Sequence, residues 1–174
     1  MLNRSDSLVL AARPNAVGLA RTMVTAALRR WGLERLVGDA ALITSELVTN
    51  AIEATGSTAE RLPWDQLKDV GLIKVHVTRG GGCVLLEVWD PAPAALPELR
   101  DAPADAETGR GLVIVDAIAA VWGYYPAAAG KVVWAQAGEG LPQRVRRHAQ
   151  PYEPAVRLNP ALLHRVHDKL KTLL

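Results

Sequence analysis

Apolar positions along this chain change period several times, and each change marks an element. Residues 7–12, SLVLAA, form a short alternating run that predicts an edge strand. In RPNAVGLARTMVTAALRRWG, Val17, Ala20, Val24, Leu28 and Trp31 recur at spacings of three and four, the signature of a helix with one apolar face. Pro14 and Asn15 open that helix and Gly32 stops it. A second helix is predicted from about Leu36 to Thr55, closed by Gly56. The period then shortens to two. LIKVHVTR and CVLLEVWD flank the glycines at 80–82 and read as a β-hairpin. RGLVIVDAIAAVWG predicts a third helix starting just after Gly109. WGYYPAAAGKVVWAQA predicts a second hairpin that turns near Ala129-Gly130.

Two stretches carry no period. Residues 56–71 hold Gly, Ser and Pro and read as a long connection. Residues 91–107 hold four Pro and five charged residues among seventeen, which predicts an irregular segment able to act as a lid. The predicted order is β, α, α, β, β, α, β, β. Strands joined mostly as hairpins, without one-for-one alternation with helices, argue against a doubly wound parallel sheet. They predict an α+β, two-layer α/β sandwich: a mixed, mostly antiparallel sheet with helices on one face.

Bulk properties narrow the class. A chain of 174 residues, 49% hydrophobic and 22% charged, is long enough for one globular domain and a tail. A net charge of +2 is too small to argue for nucleic acid by itself. The single cysteine, Cys83, excludes an internal disulfide and a cysteine-rich zinc site. Placed at the start of an apolar run, it reads as a buried structural thiol. The N-terminal residues show no sustained apolar run of leader length. No stretch reaches about 18 apolar residues without charge. These features together predict a cytoplasmic protein with no membrane role.

Candidate chemistry comes from three places. In the second helix, Ile43, Leu47, Ala51 and Ala54 make a core stripe. Glu46, Asn50 and Glu53 make a polar stripe one residue earlier. A solvated edge is the simplest reading of that stripe. Asn is a weak helix former, however, and a carboxylate and an amide oxygen one turn apart can hold a hard cation or its water. In LLEVWDPAPAALP a strand ends at Asp90, which either opens a turn before Pro91 or accepts a hydrogen bond from a ligand amine. In ETGRGLVIVDAIA, Gly109, Arg110 and Gly111 precede an apolar helix whose first N–H groups suit an anion such as phosphate. Lys131, after Gly130, reads as a turn residue, with contact to phosphate as the alternative.

In this order and spacing the three segments resemble GHKL-type, histidine-kinase-like ATP-binding domains, and within them the anti-sigma-factor, serine-protein-kinase-like branch. SELVTNAIEAT is similar to the family's Asn-bearing helix. LLEVWDPAP is similar to its adenine-binding Asp segment. TGRGLVIVDAIAAVWGYYPAAAGKVVWA is similar to its second glycine box and closing hairpin. The likeness covers about residues 7–137. It implies ATP and Mg²⁺ as ligands, with Asn50 on the Mg²⁺ and Glu46 as general base. It further implies Asp90 on the adenine amine, and Gly109, Arg110, Gly111 and the Leu112 backbone along the phosphates and lid. An anti-anti-sigma protein and a sigma factor are the implied partners, and a homodimer is consistent with the same family. The sequence departs from the family after Asp90, where Pro91-Ala92-Pro93-Ala94 carries no glycine, and at Ala54, where many relatives have a basic residue. The first departure leaves open a non-catalytic, protein-binding module. His76 lies alone in a strand run and reads as structural.

We therefore divide the chain into an ATP-binding, kinase-like domain at 1–137 and a tail at 138–174. Between residues 141 and 174 there are seven Lys or Arg, two acidic residues and three of the four His. NPALLHRVHDKLKTLL places Leu162, Leu163, Val166, Leu170 and Leu173 in a helical stripe behind an Asn159 cap. Its basic run is short and holds one aromatic, Tyr152, which argues against direct nucleic-acid binding.

Overall fold

The structure, a computed structural model, describes residues 4–55, 71–92, 111–127 and 129–139. The predicted order of elements is the observed one. Strand β1 is Ser5–Ala11, helix α1 is Asn15–Arg30, and a short 3-10 turn at Glu34–Leu36 leads into α2, Val37–Thr55. Strands β2, Leu72–Gly80, and β3, Cys83–Asp90, form the first hairpin. Helix α3, Gly111–Ile118, precedes β4, Val121–Ala127, and β5, Gly130–Ala137. Gly56, the 56–71 connection up to residue 70, the lid segment from residue 93 to 110, and the tail from residue 140 lie outside the described residues.

The five strands form one sheet in the order β1-β2-β3-β5-β4. Every neighbouring pair is antiparallel, so the sheet among the described residues is not mixed as predicted. Chain direction explains it. Helix α1 runs down and α2 runs back up, so β2 returns antiparallel beside β1. A single helix, α3, leaves β4 running in the same direction as β3. Strand β5 then inserts between those two and is antiparallel to both. At the first hairpin, Gly80 pairs with Cys83 and leaves a two-residue turn. Gly81 there has φ 68° while Gly82 does not enter positive φ, which is the pattern of a type II′ turn.

One face of the sheet is the core face. Ile73, Val75 and Val77 of β2, Val84, Leu86 and Val88 of β3, and Val133, Ala135 and Ala137 of β5 alternate inward with period two. Helices α1 and α2 cover them through Ala20, Val24, Leu28, Ile43, Leu47, Val48 and Ala51, each 0–1% exposed. Helix α2 is the central one: it packs on α1, on the sheet beneath and on α3. That explains a buried arc wider than the predicted stripe, with Thr44, Val48 and Ile52 also inside. Thr44 is satisfied there by its hydroxyl donating to Ala40 O at 2.6 Å. Cys83 is buried, as predicted, and its Sγ–H donates to Gly80 O at 2.8 Å.

The third helix ends sooner than predicted. AIAAVWG fits a helical and an extended period equally well, because every residue in it is apolar or glycine. The Ala120 N–H donates to Gln136 O at 2.9 Å, which starts sheet pairing just before Val121. The ladder to β5 takes the residues that the pattern alone assigned to the helix.

Candidate functional site

The long axes of α2 and the sheet fix where the candidate residues meet. The start of α2 sits at the hairpin end of the sheet. There Arg35 Nη2 donates to Gly82 O at 2.6 Å, and a Cβ on Gly138 would stand 2.9 Å from Leu36 Cδ1. The end of α2 sits at the opposite end, where a Cβ on Gly71 would stand 3.3 Å from Thr55 Cβ. Gly71 leads into β2, and β2 begins beside the end of β3 at Trp89 and Asp90. A helix rises about 1.5 Å per residue and a strand about 3.3 Å. Thirteen to fourteen residues of helix therefore match six of strand, which brings Asn50 to the Asp90 end. Helix α3 starts at that end too and runs back toward Gln136.

Gly111, the first residue of α3, lies against α2. A Cβ there would be 2.8 Å from Glu46 Oε2, 3.2 Å from Asn50 Oδ1 and 3.4 Å from Asn50 Nδ2. Glycine serves close approach there, not φ: Gly111 does not adopt positive φ, and a Cβ would push the Glu46 and Asn50 side-chain ends aside. The polar stripe of α2 is therefore split. Glu53 is exposed at its end, whereas Glu46 and Asn50 are half-buried and face the start of α3. The solvated-edge reading fails for those two. Among the described residues, neither the Glu46 carboxylate nor the Asn50 amide has a hydrogen-bond partner. Burial pushes the Glu46 carboxyl above the ordinary carboxylate range, and the charge of Glu53 adds to the rise. Leu112, next in α3, is 7% exposed and packs in the core, which anchors the helix start.

Asp90 ends β3 on the core face and is 1% exposed. Lys131, directly across the ladder on β5, is 5% exposed. The Lys131 ammonium donates to Asp90 Oδ1 at 2.9 Å and to Ala92 O at 3.1 Å. The Ala92 N–H donates to the same Oδ1 at 3.0 Å, so Asp90 is also a turn opener. Gly130 seats the pair. Its φ is 121°, and a Cβ there would lie 2.0 Å from Asp90 O. Burial pushes the Asp90 carboxyl up, and the hydrogen bond and charge of Lys131 pull it part of the way back. Lys131 is thus a ladder residue of β5 rather than a turn residue. Sequence reasoning missed it, because one buried Lys in a strand is uninterpretable until its partner 41 positions away is known. The one hint in the sequence is alternation: in KVVWA, Lys131 shares the inward face with Val133 and Ala135, and an inward Lys needs an acid.

Of the predicted residues, Glu46, Asn50, Gly111 and Leu112 come together, and Asp90 stands at the same end of the sandwich. Gly109 and Arg110 lie outside the described residues. His76 lies in β2, and its Nδ1 is 3.0 Å from Glu87 Oε2 on β3. Glu87 Oε1 also accepts from the Tyr125 hydroxyl at 3.0 Å. Among the described residues no helix is long and apolar enough to cross a membrane.

No curated protein matches the chain. The profile of the histidine kinase-like ATPase domain matches residues 10–137, a span that runs from the last residues of β1 through β5 and holds every candidate side chain named above. The coarse function of such a domain is ATP binding. The match covers most of the chain, and the chain belongs to the histidine kinase-like ATPase domain family.

Proposed function

We propose that this protein is a Mg-ATP-dependent serine kinase of the anti-sigma-factor branch, acting on an anti-anti-sigma partner and holding a sigma factor inactive. The observation that carries the reading is the half-buried Glu46–Asn50 pair facing the glycine that starts α3. Phosphoryl transfer requires positioning, charge compensation and a base near the attacking oxygen. One rigid helix supplies the last two within one turn. The start of α3 offers N–H groups to phosphate, and glycine at 111 lets that helix start come close to Glu46 and Asn50.

The residues also fit the metal. Among the described residues no cluster of three His, Cys, Asp or Glu could hold an ion by itself. Mg²⁺ does not need one: it keeps several waters and is held by one or two protein oxygens with substrate phosphates. Asn50 Oδ1 would be that protein oxygen. When bound, Mg²⁺ neutralises the charge of the phosphates. Glu46 takes the proton of the partner's serine hydroxyl, and its half-buried position keeps its carboxylate short of full hydration and so more basic. Asp90 accepts from the amine of the base. Residues 1–137 form this unit.

The test is phosphotransfer from labelled ATP to a serine of a cognate partner. Glu46→Gln is expected to lower the rate by about 10²- to 10⁴-fold, the usual worth of a general base, while ATP still binds. Binding without any phosphoprotein, in wild type and variant alike, contradicts the kinase reading. It would favour a second reading, a nucleotide-binding module that works by association alone. The glycine-free run Pro91-Ala92-Pro93-Ala94 supports that alternative.

A further inference from the structure

We infer that Lys131 reads the nucleotide base together with Asp90: the buried pair presents one acceptor and one donor, Asp90 Oδ2 to an exocyclic amine and the Lys131 ammonium to the ring nitrogen beside it. The inference rests on the ATP-site reading above and adds to it a residue and a base edge.

The atoms support a reader rather than a simple counter-ion. An ammonium has three donors, and a carboxylate has two oxygens with lone pairs on each. Lys131 spends two donors, one on Asp90 Oδ1 and one on Ala92 O. Both bonds received by Asp90 fall on Oδ1, from Lys131 and from the Ala92 N–H. Among the described residues the third Lys131 donor and Asp90 Oδ2 have no partner. A lysine buried only to neutralise an acid would be expected to saturate its donors, since an unmade hydrogen bond inside a protein is costly. The backbone beneath the pair is tightly packed, since a Cβ at Gly130 would stand 2.0 Å from Asp90 O.

A donor beside an acceptor has a specific complement. Adenine places an exocyclic amine next to an unprotonated ring nitrogen, N1, and cytosine places one next to N3. Guanine and uracil place a carbonyl next to an N–H and would have to enter reversed. With the amine on the Asp90 side, Lys131 supplies the half that meets the ring nitrogen.

The experiment compares ATP with 1-deaza-ATP, which keeps the amine and replaces N1 by a carbon. Affinity is measured calorimetrically on the full chain with Mg²⁺ present. Wild type is expected to bind 1-deaza-ATP about 10- to 100-fold more weakly than ATP, the size of one charge-assisted hydrogen bond. In Lys131→Met that ratio is expected to fall to about one. Should Lys131→Met fail to fold, the paired variant D90N/K131M, which buries no charge, gives the same readout. A ratio near one in wild type, or a ratio unchanged on loss of Lys131, overturns the inference and leaves ATP binding intact. No binding of any nucleotide by wild type overturns the site reading itself, and the inference with it.

Discussion

The two ends of this sandwich are built differently. At the hairpin end, Arg35 is paired locally and small residues let neighbours close up, although Gln136 Oε1 is buried there without a partner among the described residues. Arg35 caps Gly82 O, and Gly138, with φ 87°, sits tight against Leu36. At the Asp90 end, polar groups are brought in without being saturated. Glu46 and Asn50 face Gly111, and Asp90 and Lys131 are buried with bonding capacity left among the described residues. The difference marks the Asp90 end as the one whose polar groups a ligand would complete. A half-satisfied polar group is a liability in a core and an asset where a ligand completes it.

The largest expected effect separates two ion pairs. Lys131–Asp90 is buried, and Arg30–Asp6 lies at the surface with the Arg side chain 59% exposed. Lys131→Met leaves a buried carboxylate unpaired and is expected to cost about 3–5 kcal/mol. Arg30→Met is expected to cost about 0–1 kcal/mol. Urea unfolding of the two variants checks the contrast. Equal losses would mean that the Asp90 end is no drier than the surface.

Next come neighbours in sequence on α2. Leu47 is 1% exposed and packs in the core, so Leu47→Ala is expected to cost about 2–5 kcal/mol in the same unfolding measurement. Glu46, one residue earlier, faces the site, and Glu46→Gln is expected to leave stability equal or slightly higher. A large loss on Glu46→Gln would make that carboxylate a structural group.

The smallest effect is in pH. Glu46 and Asp90 both have carboxyls raised by burial. A raised carboxyl favours its neutral form in the folded state. Its stabilising share is full below the ordinary carboxylate range and is lost as pH rises through the raised value. Glu46→Gln removes the Glu46 share. The melting temperature of that variant relative to wild type is therefore expected to shift upward between pH 4 and pH 7. A downward shift would mean that Glu46 gains a partner on ionising.

Much of this was legible in the sequence, because much of it is local. The order of elements follows from period changes, and Glu46, Asn50 and Asp90 stand out as polar residues in apolar runs. What was not legible depends on contacts between distant residues. The mixed sheet failed because β5 comes between β3 and β4, a placement no local pattern records. The end of α3 failed because AIAAVWG satisfies both periods and only the ladder to Gln136 decides. Lys131 failed because its meaning lies on another strand. The split of the polar stripe, with Glu53 outside and Glu46 and Asn50 inside, needed the position of α3.

The central claim is that the Asp90 end is an ATP site with Asn50 on its metal edge. Calorimetric titration of Mg-ATP into wild type and Asn50→Ala tests it most directly, since Asn50 is half-buried without a partner among the described residues and alanine is the better helix former. The account predicts one ATP per chain for wild type and an affinity at least about 10-fold weaker for Asn50→Ala, at unchanged melting temperature. Equal affinity in the two proteins would contradict it.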